Sequence, residues 1–481
     1  MTAASVPDAG PSALLRRAAR YGWVPLIALA ATVALEQGER QSLAQAVDGI
    51  EKRFHISDSV AGTIPFAMAM VAVVGAIPFG VLADRVRRVP LLAGAVVVWT
   101  ACMALNGLAT SFALLFVYRL GVGVVEANGP AAVSLVADYY PAKDRARSMG
   151  LYQSGALAGA LIGLVGGGVA VSLGGWRWAF FMWIPAGLAV AVFMLRQPEP
   201  RRGDQDADLE ADLAGFATGG LAASAAPTLL PPPRRTGTID YVTCSHRDVM
   251  REFLRIPTMW FGVLAITVAQ ILLTGLQFWA VPYFKRVHHL GAAAAGGVAG
   301  LLGLGSVLGI LGGGFIADRY FRRGHLNARV YVVAFASIAA TAVMMPAFAS
   351  TSLTVAAPLM FVGGALLTLP VAPAEALFSD VVVAQLRGRA ATVRSIVRAL
   401  SNGGAAIIGL LSAQFIASGL SRADGLRYAI VAICPIYAIG GVIMLFAART
   451  YPADVAFVVA ESRRCSPEPA TVEAPPPWTG P

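Results

Sequence analysis

Charge is scarce in this chain. Of its 481 residues only 13% are Asp, Glu, Lys or Arg, and five are histidine. Soluble domains carry about 25% charged residues, so an ordinary soluble globular protein is excluded. Cysteine is scarcer still: Cys102, Cys244, Cys434 and Cys465 stand far apart, with neither metal-ligand spacing nor a disulfide framework. No Gly-x-x-x-x-Gly-Lys-Ser/Thr run occurs, which argues against a nucleotide-driven pump. The histidines fall outside the apolar segments, and Ser, His, Asp and Cys nowhere cluster at catalytic spacing. The expectation is no enzyme, no catalytic residue, no metal site and no cofactor.

Hydrocarbon is what the chain has instead: 57% of residues are hydrophobic and the mean hydropathy is +0.67. Apolar windows recur twelve times, near 23–45, 58–83, 90–109, 112–139, 146–172, 178–196, 258–285, 291–317, 327–348, 354–379, 390–418 and 425–448. At 1.5 Å per residue each is long enough, as a helix, to cross roughly 30 Å of hydrocarbon. Backbone groups in lipid need internal partners, and the windows lack the length and alternation of barrel strands, so helices are expected. The fold class is therefore an all-α integral membrane protein with twelve transmembrane helices.

Arginine and lysine orient the bundle. Arg85, Arg87 and Arg88, then Lys143, Arg145 and Arg147, then Arg319, Arg322 and Arg323, then Arg387 and Arg389 share one side. The opposite loops hold Lys52, Arg53, Arg177, Lys285, Arg286, Arg422 and Arg427. Short basic loops stay in the cytoplasm, so both termini are expected there, in a multi-pass protein of the cell (inner or plasma) membrane. The net charge of +10 is then topology, and no nucleic-acid partner is expected. The opening twenty residues are polar and basic, and the first apolar segment is too long for a cleavable signal.

The second segment ends in GVLADRVRR at 80–88 and the eighth in GFIADRYFRR at 314–323, a repeat offset by 234 residues. Two six-helix halves explain it. The organisation expected is a tail at 1–22, a first half at 23–196, a cytoplasmic linker at 197–257, a second half at 258–448 and a tail at 449–481. The linker holds PEPRRGDQDADLEADL, a Gly/Ala/Ser stretch and PPPRR, a poorly ordered composition, and closes on MREFLRIP, which suits a short surface helix.

Charges inside apolar segments are costly in hydrocarbon and mark function. The first segment carries Glu36, Glu39 and Arg40, and the fourth carries Arg119 and Glu126. Seven residues is close to two turns, which puts Arg119 and Glu126 on one face but about 10 Å apart along the axis. The first segment is therefore expected to bridge them in a cluster of Glu39, Arg40, Arg119 and Glu126 facing a central cavity. In the second half Gln270, Gln277, Trp279 and Tyr283 of the seventh segment, with Arg394, Arg398 and Asn402 of the eleventh, are expected to line that cavity. Arg398 reads either as an anion contact or as a snorkelling residue. Glu375 and Asp380 read as gate or surface groups, and His288 and His289 as solvated. Gly155, Gly159 and Gly163, spaced by four, predict close packing against the eighth segment.

Twelve segments in two repeats, a long middle loop and Gly80-x-Leu82-Ala83-Asp84-Arg85-x-x-Arg88 resemble the major facilitator superfamily over residues 20 to 450, with Arg87 where the family usually has a second glycine. The acidic–Arg pair of the first segment, Arg119-x-Gly121-x-Gly123-x-x-Glu126-Ala127, and FHISDSVAG before the second segment resemble the spinster-type lipid transporters and their bacterial relatives. Glu39 stands where that family normally has Asp. The resemblance implies a proton-coupled secondary active transporter, working by alternating access on an amphipathic anion or zwitterion such as a lysolipid. It implies Glu126, Arg119, Glu39 and Arg40 for proton coupling, with Glu126 as the main carboxylate, Arg119 setting its protonation, and Glu39 beside Arg40 as the rival. Arg40, Arg119, Glu126, Gln277, Trp279, Tyr283, Arg398 and Asn402 are the substrate-binding candidates.

The repeated loop predicts a gate of Gly80, Asp84, Arg85, Arg88, Asp138, Gly314, Asp318 and Arg319. There Asp84 faces the N-terminus of the eleventh segment, whose dipole favours an anion, and Arg85 or Arg88 pairs with Asp138. The arginines read alternatively as headgroup anchors only. The partners expected are the lipid bilayer, an amphipathic small molecule and protons, with the chain acting as a monomer. The glycine run also looks like the superfamily's antiporter signature, with Leu164 in place of its proline. A proton-driven multidrug exporter or a small organic-anion symporter remains an alternative within the superfamily, and a non-transporting membrane sensor remains one outside it.

Overall fold

The structure, a computed structural model, describes residues 21–126, 129–140, 142–200, 251–382, 394 and 397–465. Among these there is no strand. Ahead of the central segment run α1 (Val24–Phe54), α2 (Asp58–Arg85), α3 (Arg88–Leu108), α4 (Phe112–Glu126), α5 (Gly129–Tyr139), α6 (Ala142–Gly174), the single turn α7 (Trp178–Phe181) and α8 (Trp183–Leu195). After it come α9 (Pro257–Val287), α10 (Ala292–Arg322), α11 (Ala328–Ala349), α12 (Leu353–Thr368) and α13 (Val371–Asp380). A 3₁₀ turn at Leu400–Gly403 leads into α14 (Gly404–Ala417), α15 (Arg422–Ile433), α16 (Pro435–Ala447) and α17 (Tyr451–Cys465).

Eleven helical stretches among the described residues are long and apolar enough to cross a membrane. The 31-residue α1 is not one of them, because Glu36, Glu39 and Arg40 interrupt its apolar run. Two expected continuous segments are broken by proline. Pro370 separates α12 from α13, and Pro435 separates α15 from α16 at Cys434. Proline lacks the N–H that would continue the ladder, and its ring clashes with the carbonyl four residues back.

Packing forms three apolar clusters. One, around Leu29, Leu92, Leu135 and Tyr140, draws only on helices before the central segment. A second, around Phe253, Met259, Phe378 and Tyr451, draws only on residues after it. The third, which includes Met68, Trp99, Phe180, Trp279 and Ile408, belongs to both groups. The groups meet where α2 packs on α14, α6 on α10 and α1 on α9.

Gly155, Gly159 and Gly163 abut the α1 carbonyls of Ala30, Ala34 and Gly38, so their stripe packs on the first helix, not on the eighth segment. It is Gly168, further along α6, that meets α10, against Ala292 and Ala293. The face assignment from spacing was right in kind, but spacing does not choose between two neighbours. A helix also appears within the segment read as a C-terminal tail. Tyr451, Ala453, Ala456 and Phe457 of α17 are buried, and Tyr451 and Phe457 join a cluster that includes Phe253 and Ile256 just ahead of α9. The Asp454 carboxylate accepts the Thr258 N–H at 3.2 Å, which satisfies one of the open donors at the start of α9.

Candidate functional site

Two ion pairs join α1 to α4, and they are crossed. Arg119 bonds Glu39, both fully buried, and the Arg119 guanidinium lies 5.3 Å from the Phe180 ring centroid. Arg40 reaches Glu126 at 2.5 Å, with the arginine side chain 47% exposed and the carboxylate 4% exposed. The arrangement follows from helical geometry. Adjacent residues on a helix point about 100° apart, so Glu39 turns into the packed interior while Arg40 turns to the cavity. The first helix thus bridges Arg119 and Glu126, each arginine taking the carboxylate on the other helix: Arg40 rather than Arg119 touches Glu126, and Arg119 rather than Arg40 touches Glu39.

Of these four, Arg40, Arg119 and Glu126 edge a cavity of about 500 Å³ between the two helix groups. Arg40, Gln41, Met68, Ala72, Arg119 and Glu126 line one wall, and Gln270, Thr274, Gln277, Phe278, Arg398 and Asn402 line the other. The lining is apolar over much of its extent, with charge confined to a few points, the usual makeup of a small-molecule site. On the far wall Arg398 bonds Glu375 at 3.1 Å, and Arg394 bonds the same carboxylate at 2.8 Å.

Two membrane-embedded groups facing one cavity between two helical bundles is a transporter's geometry, and the comparisons agree. The model of the Major Facilitator Superfamily matches residues 29–406. This chain belongs to the major facilitator superfamily. As a facilitator it is 25% identical over 427 residues to protein spinster homolog 1 of Xenopus laevis, covering 84% of this chain and 76% of that one. It is 24% identical over 346 residues to the probable sphingolipid transporter spinster homolog 1 of Arabidopsis thaliana, covering 70% and 68%. Among solved structures it resembles a bacterial homologue of the human lysosomal transporter spinster, in an inward-facing, unoccupied conformation. That likeness has a TM-score of 0.72 at 23% identity and covers 89% of this chain and 97% of that one. The protein is a multi-pass membrane transporter that resembles the spinster type.

Not every expected residue of this facilitator reaches the cavity. Trp279 and Tyr283 are fully buried: Trp279 Nε1 donates to the Ala405 carbonyl at 2.8 Å and the Tyr283 hydroxyl to the Phe348 carbonyl at 2.8 Å. Both large rings lie off the face that presents Gln270, Thr274 and Gln277, so their assignment to the lining is withdrawn. Gln41, Thr274 and Ser401 line it instead. His288 is also half-buried rather than solvated, its ring packed on Tyr283 and Phe284, and burial first, then His289, lowers its pKa from the usual histidine value.

At the expected gate, Arg88 rather than Arg85 takes Asp138, at 2.5 Å, and also donates to Ser134 Oγ at 2.7 Å. Arg85 is exposed. The Glu199 carboxylate accepts the N–H groups of Arg88 and Val89, both at 2.8 Å, and so caps α3. The second repeat answers with Arg329, which bonds Asp380 and lies 3.5 Å from Asp318. Arg319 and Asp318 are exposed, and a methyl group on Gly314 would stand in ordinary contact with Ala372. Gly80 lies near the end of α2, while the side chain of Asp84 and most of the eleventh segment's start lie outside the described residues, as do Arg387 and Arg389. Next to this loop, burial pushes the Tyr140 phenol up to about 12, so at neutral pH it stays protonated and donates to the Gly22 carbonyl at 2.8 Å.

A charge network missed in the sequence closes the opposite end. Arg286 of α9 contacts Asp48 at 2.7 Å and Glu51 at 2.6 Å on α1, and Asp58 at 2.8 Å at the start of α2. Lys285 adds Asp48 at 2.8 Å, and Arg422 adds Glu51 at 2.5 Å and Asp58 at 3.2 Å. All three acids precede the central segment and all three bases follow it. That sorting of sign was visible in the chain and is the signal that would have found it.

Proposed function

We propose that this facilitator is a proton-coupled secondary active transporter of an amphipathic organic anion or zwitterion, such as a lysolipid, in the cell membrane. In this reading α1 is a twelfth crossing, both termini are cytoplasmic, and two halves, 23–196 and 258–448, rock about the central cavity as a monomer. The observation that carries it is the Arg40–Glu126 pair, a cavity-facing guanidinium held by a nearly buried carboxylate. While Glu126 is ionised it occupies Arg40. Protonation of Glu126 removes the charge that holds the guanidinium and leaves Arg40 to an anionic headgroup, so proton and substrate binding become linked at one point. Arg40, not Arg119, then sets the proton affinity of Glu126, and the Glu39–Arg119 pair fixes α1 on α4.

Arg40, Gln277, Arg398 and Asn402 are the headgroup contacts in this account, and the Ala, Met, Val and Phe lining takes the apolar part. The Asp–Arg loops at 84–85 and 318–319 act at the cytoplasmic gate, and the Arg286 network seals the outer side. Accumulation of labelled lysolipids, drugs and small organic acids by cells with and without the protein tests the substrate class. Selective movement of lysolipids supports it, and selective movement of simple organic acids favours the organic-anion symporter.

A further inference from the structure

The two walls of the cavity differ in their charge balance. On the α1–α4 wall two arginines meet two carboxylates, one to one. On the opposite wall one carboxylate, Glu375, is shared by two arginines, Arg394 at 2.8 Å and Arg398 at 3.1 Å. Arg394 is the more enclosed of the two, 15% exposed against 35% for Arg398, and its guanidinium is stacked 4.4 Å from the Phe378 ring centroid. Only Arg398 lines the central cavity. The other elements that border Glu375 there bring no further charge among the described residues: α9 gives Gln270, α11 gives Ser337 and α16 gives Tyr437, whose hydroxyl is already donated to the Leu367 carbonyl.

We infer that Glu375 is a built-in competitor for the substrate's anionic head, a specificity-determining residue that holds Arg398 in the empty transporter and hands it over on binding. The inference rests on the proposed transport of an anionic or zwitterionic amphiphile. The handover is cheap because the Glu375 side chain is 46% exposed and keeps Arg394 when Arg398 swings to the ligand, so the carboxylate is never left without a partner. The wall's single excess positive charge then meets the single negative charge of the head. Release is the reverse step, in which the Glu375 carboxylate displaces the head from Arg398.

The two partners of Glu375 make opposite predictions, which separates this role from a structural one. Glu375→Gln frees Arg398 and tightens binding. For a partly exposed pair the gain is about two- to fivefold, and because release loses its competitor, kcat falls together with KM. Arg394→Gln leaves Glu375 with Arg398 as its only described partner and weakens binding by a similar factor, although Arg394 does not line the cavity. The test is equilibrium binding of labelled lysophosphatidylglycerol, an anionic probe, to the full-length wild type and both variants in nanodiscs, with uncharged monoacylglycerol alongside. Opposite shifts for the anion and none for the uncharged lipid are expected. Weaker anion binding in Glu375→Gln, or shifts of the same sign in both variants, overturns the role of Glu375 while leaving the transport proposal standing. Wild-type protein that binds the anion no better than monoacylglycerol overturns the anionic headgroup itself, and this inference with it.

Discussion

Arg40 and Glu126, 86 positions apart in the chain, meet at 2.5 Å with the guanidinium half in the cavity and the carboxylate almost wholly out of it. One helical step away, Glu39 and Arg119 form a pair with no exposure at all. Two chemically identical pairs thus occupy two dielectric settings, and their removal has different costs.

Glu39→Gln strands a buried guanidinium and should cost about 3–5 kcal/mol. Glu126→Gln leaves unpaired only the Arg40 guanidinium, which already faces the cavity, and should cost about 1 kcal/mol or less. Thermal unfolding of the purified variants in detergent checks the order. Equal destabilisation would show that both pairs are structural.

Arg286→Gln should open the end of the bundle that Asp48, Glu51 and Asp58 close. Truncating one member of a buried charge network costs about 2 kcal/mol or more, a shift of roughly thirtyfold in the closed-to-open ratio. Distance distributions between spin labels on the α1–α2 turn and the α14–α15 turn report it, and the longer distance should gain population. An unchanged distribution would mean that apolar packing alone closes this end.

Glycines sort into two kinds by what a methyl group would strike. At Gly62 it meets the Ala405 carbonyl across the α2–α14 seam, and at Gly159 the Ala34 carbonyl on α1. Overpacking of this sort costs about 1–3 kcal/mol. Gly62→Ala should therefore shift the population toward an opened seam with little loss of yield. Gly159→Ala should lower thermal stability without moving that equilibrium. Spin-label distances and melting curves on the two variants separate the effects.

Asp318→Asn and Asp84→Asn should slow turnover while folding and probe binding stay near the wild-type level, since the proposed transport cycle uses both at the gate and the exposed Asp318 is not a lining residue of the cavity. Single-turnover binding beside steady-state flux distinguishes the two steps. Normal flux in Asp84→Asn at equal expression would reduce the repeated Asp-Arg loop to a topological anchor.

The apolar windows, the repeat of the Asp-Arg loop and the membership of the four-charge cluster were legible in the sequence, because hydrophobic length and the cost of buried charge are local properties. The crossed pairing was not. Glu39 and Arg40 are neighbours in the chain, and which one faces the cavity depends on the rotation of α1 against α6. Trp279 and Tyr283 failed for a related reason: a long helix has several faces, and composition does not say which one lines a cavity and which one packs on α14 or α11. The Arg286 network was readable as a sorting of sign between the two sides of the chain, but each member looked like an ordinary loop charge on its own.

The central claim is that Glu126, through Arg40, couples substrate movement to protons. The most direct measurement is flux of labelled lysophosphatidylglycerol in proteoliposomes, driven by an imposed pH gradient and compared with substrate exchange in its absence. The account predicts that the wild type responds to the gradient and that Glu126→Gln loses the response while retaining exchange. An undiminished response in Glu126→Gln, with the loss appearing in Glu39→Gln instead, would contradict it.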